Sequence, residues 1–319
     1  MDSSSNGTSP LRIGVVGVGH LGRHHARIAS QSTASLVGVF DTNGTRAHEV
    51  ATTLGVPAFP NLDSLLARCD VAVIATPAAS HFAVARSALE ADKHCLVEKP
   101  LVTDPASAGV LVALARERHR VLAVGHSERF NPALEHADRF IRDPLYVEVT
   151  RVAPFPGRGM DVDVVKDLMV HDLEIVLHWM GTYPTEMRAV GIPLVTDKVD
   201  MASVRLEFEH GQVAALTASR ASPSALRVMR VFQRGGYVSV DLGSKKLRFV
   251  RQTPAGLTIE ESVADGPEPL KAELEDFLSA VRTGRPPRVS GHEGAQVLRL
   301  AEDIVTLIGS RLRHLSTPQ

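Results

Sequence analysis

The chain has 319 residues, 35 lysines and arginines against 36 aspartates and glutamates, and a formal net charge of −1. This balance argues against nucleic acid or an anionic membrane surface as the main partner, because both select strongly basic proteins. No apolar run approaches the roughly 18–20 residues that a membrane span needs, and a chain of this length is typical of two domains.

The amino terminus and the cysteines indicate where the protein works. The first ten residues lack the basic start and apolar middle of a secretion signal, and we expect residues 1–10 to form a disordered tail. The two cysteines, Cys69 and Cys95, form neither a metal-binding pair nor a disulfide framework. So few cysteines are typical of a reducing compartment. We therefore predict a cytoplasmic protein with no metal site.

From residue 11 to about residue 127, short apolar runs alternate with segments of helical periodicity. The runs lie at 11–16, 35–40, 71–76, 94–98 and 121–125. Their continuous apolar character is typical of strands buried on both faces, and hence of a parallel sheet with helices on each side. Helical spacing is clear at 81–91 and 106–118. We predict a doubly wound α/β domain, the dinucleotide-binding Rossmann architecture, over residues 11–127.

Beyond residue 128 the pattern changes to alternating strands and hairpins. Residues 146–152 alternate like a half-exposed strand, and hairpin turns are predicted at His210–Gly211 and Gly235–Gly236. Predicted helices cover 164–180, 270–282 and 292–311. We predict an α+β domain over residues 128–319 with a large open mixed or antiparallel sheet. Because one face of such a sheet is left for a second copy of the chain, a homodimer or homotetramer is expected.

A glycine-rich turn, GVGHLG at 17–22, follows the first predicted strand and precedes a helix. Its glycines permit a tight turn, the close approach of a pyrophosphate and the close packing of the helix on the strand. The exposed N–H groups at the start of that helix can bind the phosphates. Asp41 ends the second strand 19 residues after Gly22, where an acid binds both ribose hydroxyls and repels a 2′-phosphate. Arg46 is the nearest cation that would favour NADP. The pattern predicts NAD rather than flavin, bound by Gly17, Gly19, His20, Leu21, Gly22 and Asp41.

Two polar motifs are candidates for the catalytic groups. Lys99, in an EKP tripeptide, follows the fourth predicted strand at the sheet edge where ligands bind, and can polarise a substrate oxygen or share its proton. Asp167 and His171 are four residues apart on a predicted helix and so share a face, where the carboxylate can orient the imidazole. Taken alone, each motif is more often structural: a surface turn, or an ordinary core histidine. The other histidines, His25 among them, belong to that ordinary class.

Together these motifs resemble the glucose–fructose oxidoreductase, inositol dehydrogenase and MocA family, abbreviated Gfo/Idh/MocA. The matching segments are GVGHLG at 17–22, ATPAASH at 75–81, EKP at 98–100, GHSERFNP at 125–132 and D-x-x-x-H at 167–171. The resemblance covers residues 11–310 and implies hydride transfer at a sugar or polyol carbon, with Lys99, Asp167 and His171 as the catalytic set. Either Lys99 or His171 could take the hydroxyl proton. The resemblance also implies that the nicotinamide end of the cofactor is bordered by Thr76, Pro77, His81 and Glu98.

Within the family, the chain most resembles members that oxidise the 3-hydroxyl of UDP-N-acetylglucosamine to supply 3-amino sugars for lipid A and lipopolysaccharide. A diphosphate requires cations that a free polyol does not, and the candidates are Arg129, Arg158 and Lys166. Two alternatives remain open. One is a dehydrogenase of an unactivated polyol such as inositol. The other is a non-catalytic regulator that binds NAD or sugar, which is disfavoured because Lys99 and His171 are both present.

Overall fold

The computed structural model describes residues 9–155 and 162–316, so nearly all of the predicted tail lies outside the described residues. The chain divides into two compact units. The first comprises Met1–Gly125 and Leu270–Ala295, and the second comprises His126–Pro269 and Gln296–Gln319. Each unit is described by itself.

The strands and helices follow one another along the chain. The strands are β1 (Arg12–Val16), β2 (Ser35–Phe40), β3 (Val71–Ile74), β4 (His94–Glu98), β5 (Leu122–Gly125), β6 (Tyr146–Val152), β7 (Glu186–Ile192), β8 (Met201–Glu207), β9 (Val213–Ser219), β10 (Leu226–Gln233), β11 (Gly236–Asp241), β12 (Lys246–Thr253) and β13 (Gly256–Val263). The α-helices are α1 (Gly22–Ser30), α2 (Gly44–Leu54), α3 (Leu62–Leu66), α4 (Ala78–Glu90), α5 (Pro105–Glu117), α6 (Pro132–Asp138), α7 (Val170–Met180), α8 (Pro269–Thr283) and α9 (Gly291–Ser316). A 3-10 helix covers Ser127–Phe130, and a π-helix covers Val165–Met169 directly before α7.

The first unit contains a parallel sheet of β1 to β5, in the order β2-β1-β3-β4-β5 among the described residues. The prediction of a doubly wound α/β domain is confirmed. All of β3 and β5 is buried, as continuous apolar runs between two helical layers require. The parallel arrangement brings the carboxyl ends of β1, β3 and β4 to one edge, where the predicted cofactor motifs lie.

The domain boundaries differ from the prediction at residues 270–295, which belong to the first unit rather than to a continuous second domain. Leu274, Phe277 and Leu278 of α8 are buried in the same apolar cluster as Val15 of β1. An amphipathic pattern shows that a helix has a core to pack against, but it does not say which core. For that reason the sequence pattern alone does not place α8 beside the first sheet.

The second unit contains a mixed sheet in the order β13-β12-β11-β10-β6-β9-β8-β7, as predicted. Within the described residues its pairs are antiparallel except for β6 and β9, which run parallel. In β8 alternate residues are buried, with Ala202, Val204 and Leu206 in the apolar core that also includes residues of α7 and α9. The alternation follows from a sheet that packs against helices on one face.

Two further features bear on the sequence predictions. Among the helices that the structure describes, none has the length and apolar character needed to cross a membrane. Both cysteines are buried and free of disulfides, and burial raises the pKa of the Cys69 thiol to about 11. That thiol is therefore protonated and unreactive at neutral pH.

Candidate active site

The glycine-rich turn between β1 and α1 has room for a ligand at one of its glycines. Gly17 has a φ of +82°, and a Cβ on it would lie 2.8 Å from the backbone nitrogen of Thr76. A Cβ on Gly22 would collide with the carbonyl oxygen of Gly17. At Gly19, however, the nearest heavy atom would be 3.7 Å away, on Arg46. Since the chain itself does not require glycine there, the open surface at Gly19 fits the close approach of a pyrophosphate.

Asp41 connects the end of β2 to this turn. One of its carboxylate oxygens accepts a hydrogen bond from the backbone N–H of Val18 and the other from that of Asn43, both at 2.8 Å. Its side chain is only 8% exposed, and Arg46 Nη1 lies 3.5 Å from Oδ2. The acid predicted to bind ribose is thus fixed by the turn that is predicted to bind the pyrophosphate. Arg46, the nearest cation that would favour NADP, lies beside this acid.

His81 joins the turns that follow β3 and β4. Its ring nitrogens lie 2.8 Å from the carbonyl oxygens of Pro100 and Thr76, and the residue is 1% exposed. Both ring nitrogens therefore face backbone groups at this sheet edge. Contact of the cofactor with His81, Thr76 or Pro77 stays a prediction.

Glu98, at the end of β4, also points into the protein. The residue is 7% exposed, and Oε1 lies 2.6 Å from His25 Nε2 on α1. Its second oxygen accepts the backbone N–H of Lys99 at 3.2 Å. The two carboxylate oxygens thus contact His25 and the turn of Lys99, and the role of Glu98 as a cofactor neighbour stays a prediction. Lys99 itself is half-buried at the carboxyl end of β4.

Asp167 and His171 lie in the second unit, where a π-helix leads into α7. Asp163 caps this segment, and its Oδ1 accepts the backbone N–H of Val165 at 3.0 Å and of Lys166 at 3.1 Å. Asp167 belongs to the π-helix and His171 to the first turn of α7. The prediction assumed α-helical spacing, whereas π-helical turns close with i→i+5 bonds and recur at functional sites. The pairing of the two side chains stays a prediction.

The helix that carries His171 is fixed by a buried ion pair. Asp172, the next residue, forms a two-point contact with Arg151 of β6, with both N–O distances 2.8 Å. The two side chains are 2% and 4% exposed. Asp172 thereby anchors α7 to the sheet.

A second buried pair supports the segment before the π-helix. Asp200 and Arg220 are 2.9 Å apart with exposures of 0% and 1%, and Arg220 Nη1 donates to the carbonyl of Val162 at 2.7 Å. Burial opposes the ionisation of Asp200, but backbone N–H groups and Arg220 hold its pKa below the ordinary value. The pair remains charged across the neutral range and fixes the entry to the helix of His171.

The three cations predicted to bind a diphosphate have different outcomes. Arg129 is 5% exposed, donates to Asp138 at 3.0 Å and lies 3.7 Å from Glu174. These two carboxylates are ion-pair partners within the same unit, and a role of Arg129 toward substrate stays a prediction. Lys166 Nζ lies 2.6 Å from Glu302 and is one-third exposed, so a role toward substrate stays a prediction. Arg158 lies outside the described residues.

Comparison with known proteins decides the family. The profile of the Gfo/Idh/MocA oxidoreductase family's NAD-binding Rossmann domain matches residues 11–126, and that of its C-terminal α/β domain matches residues 159–306. The chain belongs to the Gfo/Idh/MocA family of oxidoreductases. It carries that family's NAD-binding domain, in agreement with the open surface at Gly19.

Several of the similar proteins bear a substrate in their names. UDP-N-acetylglucosamine 3-dehydrogenase of Acidithiobacillus ferrooxidans is 43% identical over 95% of this chain and 99% of that relative. A solved structure of the same name and organism has a TM-score of 0.91 at 42% identity, covering 95% of this chain and 99% of the other. Myo-inositol 2-dehydrogenase of Thermotoga maritima is 25% identical over 91% of this chain and 94% of that relative.

Sequence reasoning missed residues that the structure brings to the Gfo/Idh/MocA motifs. His25 was treated as an ordinary core histidine, although it contacts Glu98 of the EKP motif. Glu273 of α8 lies in the same buried cluster, 175 residues further along the chain. A glutamate on the apolar face of an amphipathic helix is the signal that could have identified it, since unpaired buried carboxylates are rare.

Proposed function

We propose that the protein oxidises the 3-hydroxyl of UDP-N-acetylglucosamine to the 3-keto nucleotide sugar, with NAD as the hydride acceptor. The observation that carries this proposal is 43% identity to a UDP-N-acetylglucosamine 3-dehydrogenase along 95% of the chain. The match to an inositol dehydrogenase, at 25% identity, is much weaker, so an unactivated polyol is the less favoured substrate.

The cofactor would be held by residues of the first unit. The open surface at Gly19 and the helix start at Gly22 would receive the pyrophosphate, with His20 and Leu21 exposed beside them. Asp41 would accept the ribose hydroxyls with the remaining lone pairs of its carboxylate. NAD, when bound, supplies the acceptor for the hydride that leaves the sugar C3.

Protein side chains would remove the proton of the 3-hydroxyl and stabilise the oxyanion that forms. His171 would remove it, because a neutral imidazole is a base near pH 7 and Asp167 would stabilise the imidazolium that forms. Lys99 would stabilise the oxyanion by donating a hydrogen bond from its ammonium group. The two residues could also exchange these roles, with Lys99 as the base.

The charged part of the substrate requires cations that the described residues only partly supply. Lys166 keeps about a third of its side chain exposed, and its contact with Glu302 could open toward a diphosphate. Arg158 is the second candidate. Arg129 is the third, with Asp138 3.0 Å and Glu174 3.7 Å from its guanidinium group.

The protein is also proposed to form a homo-oligomer through the sheet of the second unit. Apolar side chains on and beside the edge strand β7 are exposed, among them Val190 and Ile192 at 44% each and Leu194 at 58%. Exposed apolar groups of this kind are typical of an interface. The two buried, reduced thiols favour a reducing compartment such as the cytoplasm.

The substrate is tested by incubating the purified protein and NAD with UDP-N-acetylglucosamine, its uronate and myo-inositol in separate reactions. Reduced-nicotinamide absorbance should rise with UDP-N-acetylglucosamine, and carbon NMR should show a ketone at C3. Turnover only with myo-inositol would favour the polyol alternative. Tight NAD binding without turnover of any sugar nucleotide would favour the regulator.

A further inference from the structure

Three buried ionisable side chains form a cluster next to the turn that carries Lys99. They are His25 on α1, Glu98 on β4 and Glu273 on α8, with exposures of 1%, 7% and 2%. Each offers a polar atom within 4.8 Å of the other two. All three belong to the first unit. The proposed reaction gives none of them a direct step, so the cluster requires its own explanation.

Glu98 is the member of the cluster that touches the turn of Lys99. One carboxylate oxygen faces His25 Nε2 at 2.6 Å, and the other accepts the Lys99 backbone N–H at 3.2 Å. A Cβ built on Gly125 would lie 3.0 Å from the carboxyl carbon and from both oxygens of Glu98. The carboxylate therefore lies against the backbone of β5, where a larger residue could not fit. These contacts leave Glu98 one orientation.

Glu273 differs from Glu98 in having no described hydrogen-bond partner for either of its buried oxygens. Burial, together with the negative charges of Glu98 and Asp276, raises its pKa well above the ordinary value. The groups that face it are His25 and Glu98, and Asp276 on its own helix. Arg285 and Arg288 lie 2.7 Å and 3.6 Å from Asp276 and form ion pairs with that carboxylate rather than with Glu273.

A divalent metal ion is the obvious alternative occupant of such a cluster. Two ligand atoms on one tetrahedral zinc, each at about 2.0–2.1 Å, would be about 3.3 Å apart. His25 Nε2 and Glu98 Oε1 are 2.6 Å apart, which is the distance of a charge-assisted hydrogen bond. The geometry is that of groups sharing protons rather than ligands sharing a cation.

We propose that His25 and Glu273 are positioning residues for Lys99, which act through Glu98, and that Glu273 does so as a neutral carboxylic acid. Its O–H donates through one bridging water molecule toward the Glu98 and His25 pair, which lies within 4.8 Å, and keeps the carboxylate against Lys99. On the other side of Lys99, the carbonyl of Pro100 is held by His81 at 2.8 Å. The inference rests on the proposed function only in giving Lys99 its chemical role.

The test compares Glu273→Gln with Glu273→Ala in the full-length protein. The amide N–H replaces the acid O–H, so Glu273→Gln should keep kcat within about threefold. Glu273→Ala removes the donor, and kcat should fall roughly 10- to 100-fold while the KM for sugar nucleotide and the Kd for NAD change little, because a displaced lysine acts on the chemical step. Glu273→Met, which keeps the side-chain volume but has no donor, should lose turnover as Glu273→Ala does, and this separates positioning from simple loss of packing.

A second readout needs neither substrate nor turnover. The infrared difference spectrum of wild type minus Glu273→Gln at pH 7 should show the carbonyl stretch of one protonated carboxylic acid. Absence of this band would overturn the proposal, as would a divalent metal that wild type holds and Glu273→Gln lacks. Loss of turnover in Glu273→Gln equal to that in Glu273→Ala would also overturn it. Failure of wild type to oxidise UDP-N-acetylglucosamine would instead count against the proposed function and leave the infrared test valid.

Discussion

At the scale of single residues, each proposed role depends on what else the side chain touches. Asp41 and Glu98 are both acids at strand ends that motif patterns assign to the cofactor. Asp41 braces the glycine turn, with Arg46 beside it, whereas Glu98 is committed to His25 and the backbone of Lys99. Arg129 also has contacts that its sequence motif does not reveal, because this buried arginine lies beside the carboxylates of Asp138 and Glu174.

The role of His171 is tested by His171→Ala. If the imidazole is the base, kcat should fall roughly 10²–10⁴-fold, the usual contribution of general base catalysis. NAD affinity, measured by fluorescence titration, should be nearly unchanged, because the cofactor motifs lie in the other unit. His178→Ala, an exposed histidine on the same helix, is the matched control. Equal losses of turnover and NAD affinity would mean that His171 is structural.

The choice between NAD and NADP is tested by Asp41→Ala. Removing the carboxylate should lower the ratio of kcat/KM for NAD to that for NADP by about 10- to 100-fold, the value of a hydrogen bond to a charged group. Arg46 Nη1, 3.5 Å from Asp41, would then be available to a 2′-phosphate. The double variant with Arg46→Ala should lose the gain for NADP. An unchanged ratio in Asp41→Ala would contradict the ribose role.

At the scale of elements, buried charged contacts set where the functional helices and turns lie. Arg151 joins β6 to α7 beside His171, and Arg220 holds the segment before the π-helix. Alternation and apolar runs predicted β6 and α7 well, because periodicity reports which face is buried. The partners of the buried charges come from distant parts of the chain, and no local pattern encodes them. The π-helix was also missed, since one extra residue in a turn hardly changes the apolar spacing.

The anchor of α7 is tested by Arg151→Ala. Leaving Asp172 buried without its partner should lower the free energy of unfolding, measured by urea denaturation, by about 3–5 kcal/mol. Replacing the pair together, with Arg151→Met and Asp172→Leu, should recover most of this loss because no isolated charge remains. A loss under about 1 kcal/mol in Arg151→Ala, the range of exposed ion pairs, would contradict the buried anchor.

The buried acid on α8 makes stability depend on pH. The folded chain holds the Glu273 proton more tightly than the unfolded chain, in which the ordinary pKa is about 4.3. Stability should therefore fall as pH rises from that value toward the raised folded pKa, because the unfolded state releases its proton first. Glu273→Gln removes the proton and should flatten this part of a Tm-against-pH curve. A parallel curve for wild type and variant would mean that Glu273 is ionised when folded.

At the scale of the whole molecule, the architecture followed from the sequence further than the site did. The five runs of the first sheet and the alternating strands of the second were recognisable from periodicity, and both sheets are confirmed. The packing of α8 against the first sheet was not predicted, because an amphipathic pattern shows which face of a helix is buried but not which surface it packs against. The same holds for Glu273, whose contact with the EKP motif depends on α8 returning to the first unit. Candidate site residues within one sequence motif could be predicted. Contacts between residues that are distant in sequence, such as Glu98 and Glu273, could not.

The central claim is that hydrogen leaves C3 of a UDP-sugar and passes to NAD. The most direct test supplies the protein with NAD and UDP-N-acetylglucosamine deuterated at C3, followed by mass spectrometry of the reduced nicotinamide. We expect one deuterium in the reduced cofactor from the C3-labelled substrate and none from substrate labelled at C4. Hydride transfer from C3 would be contradicted if deuterium reached the nicotinamide from the C4-labelled substrate. It would also be contradicted if the C3-labelled substrate turned over and left the nicotinamide unlabelled.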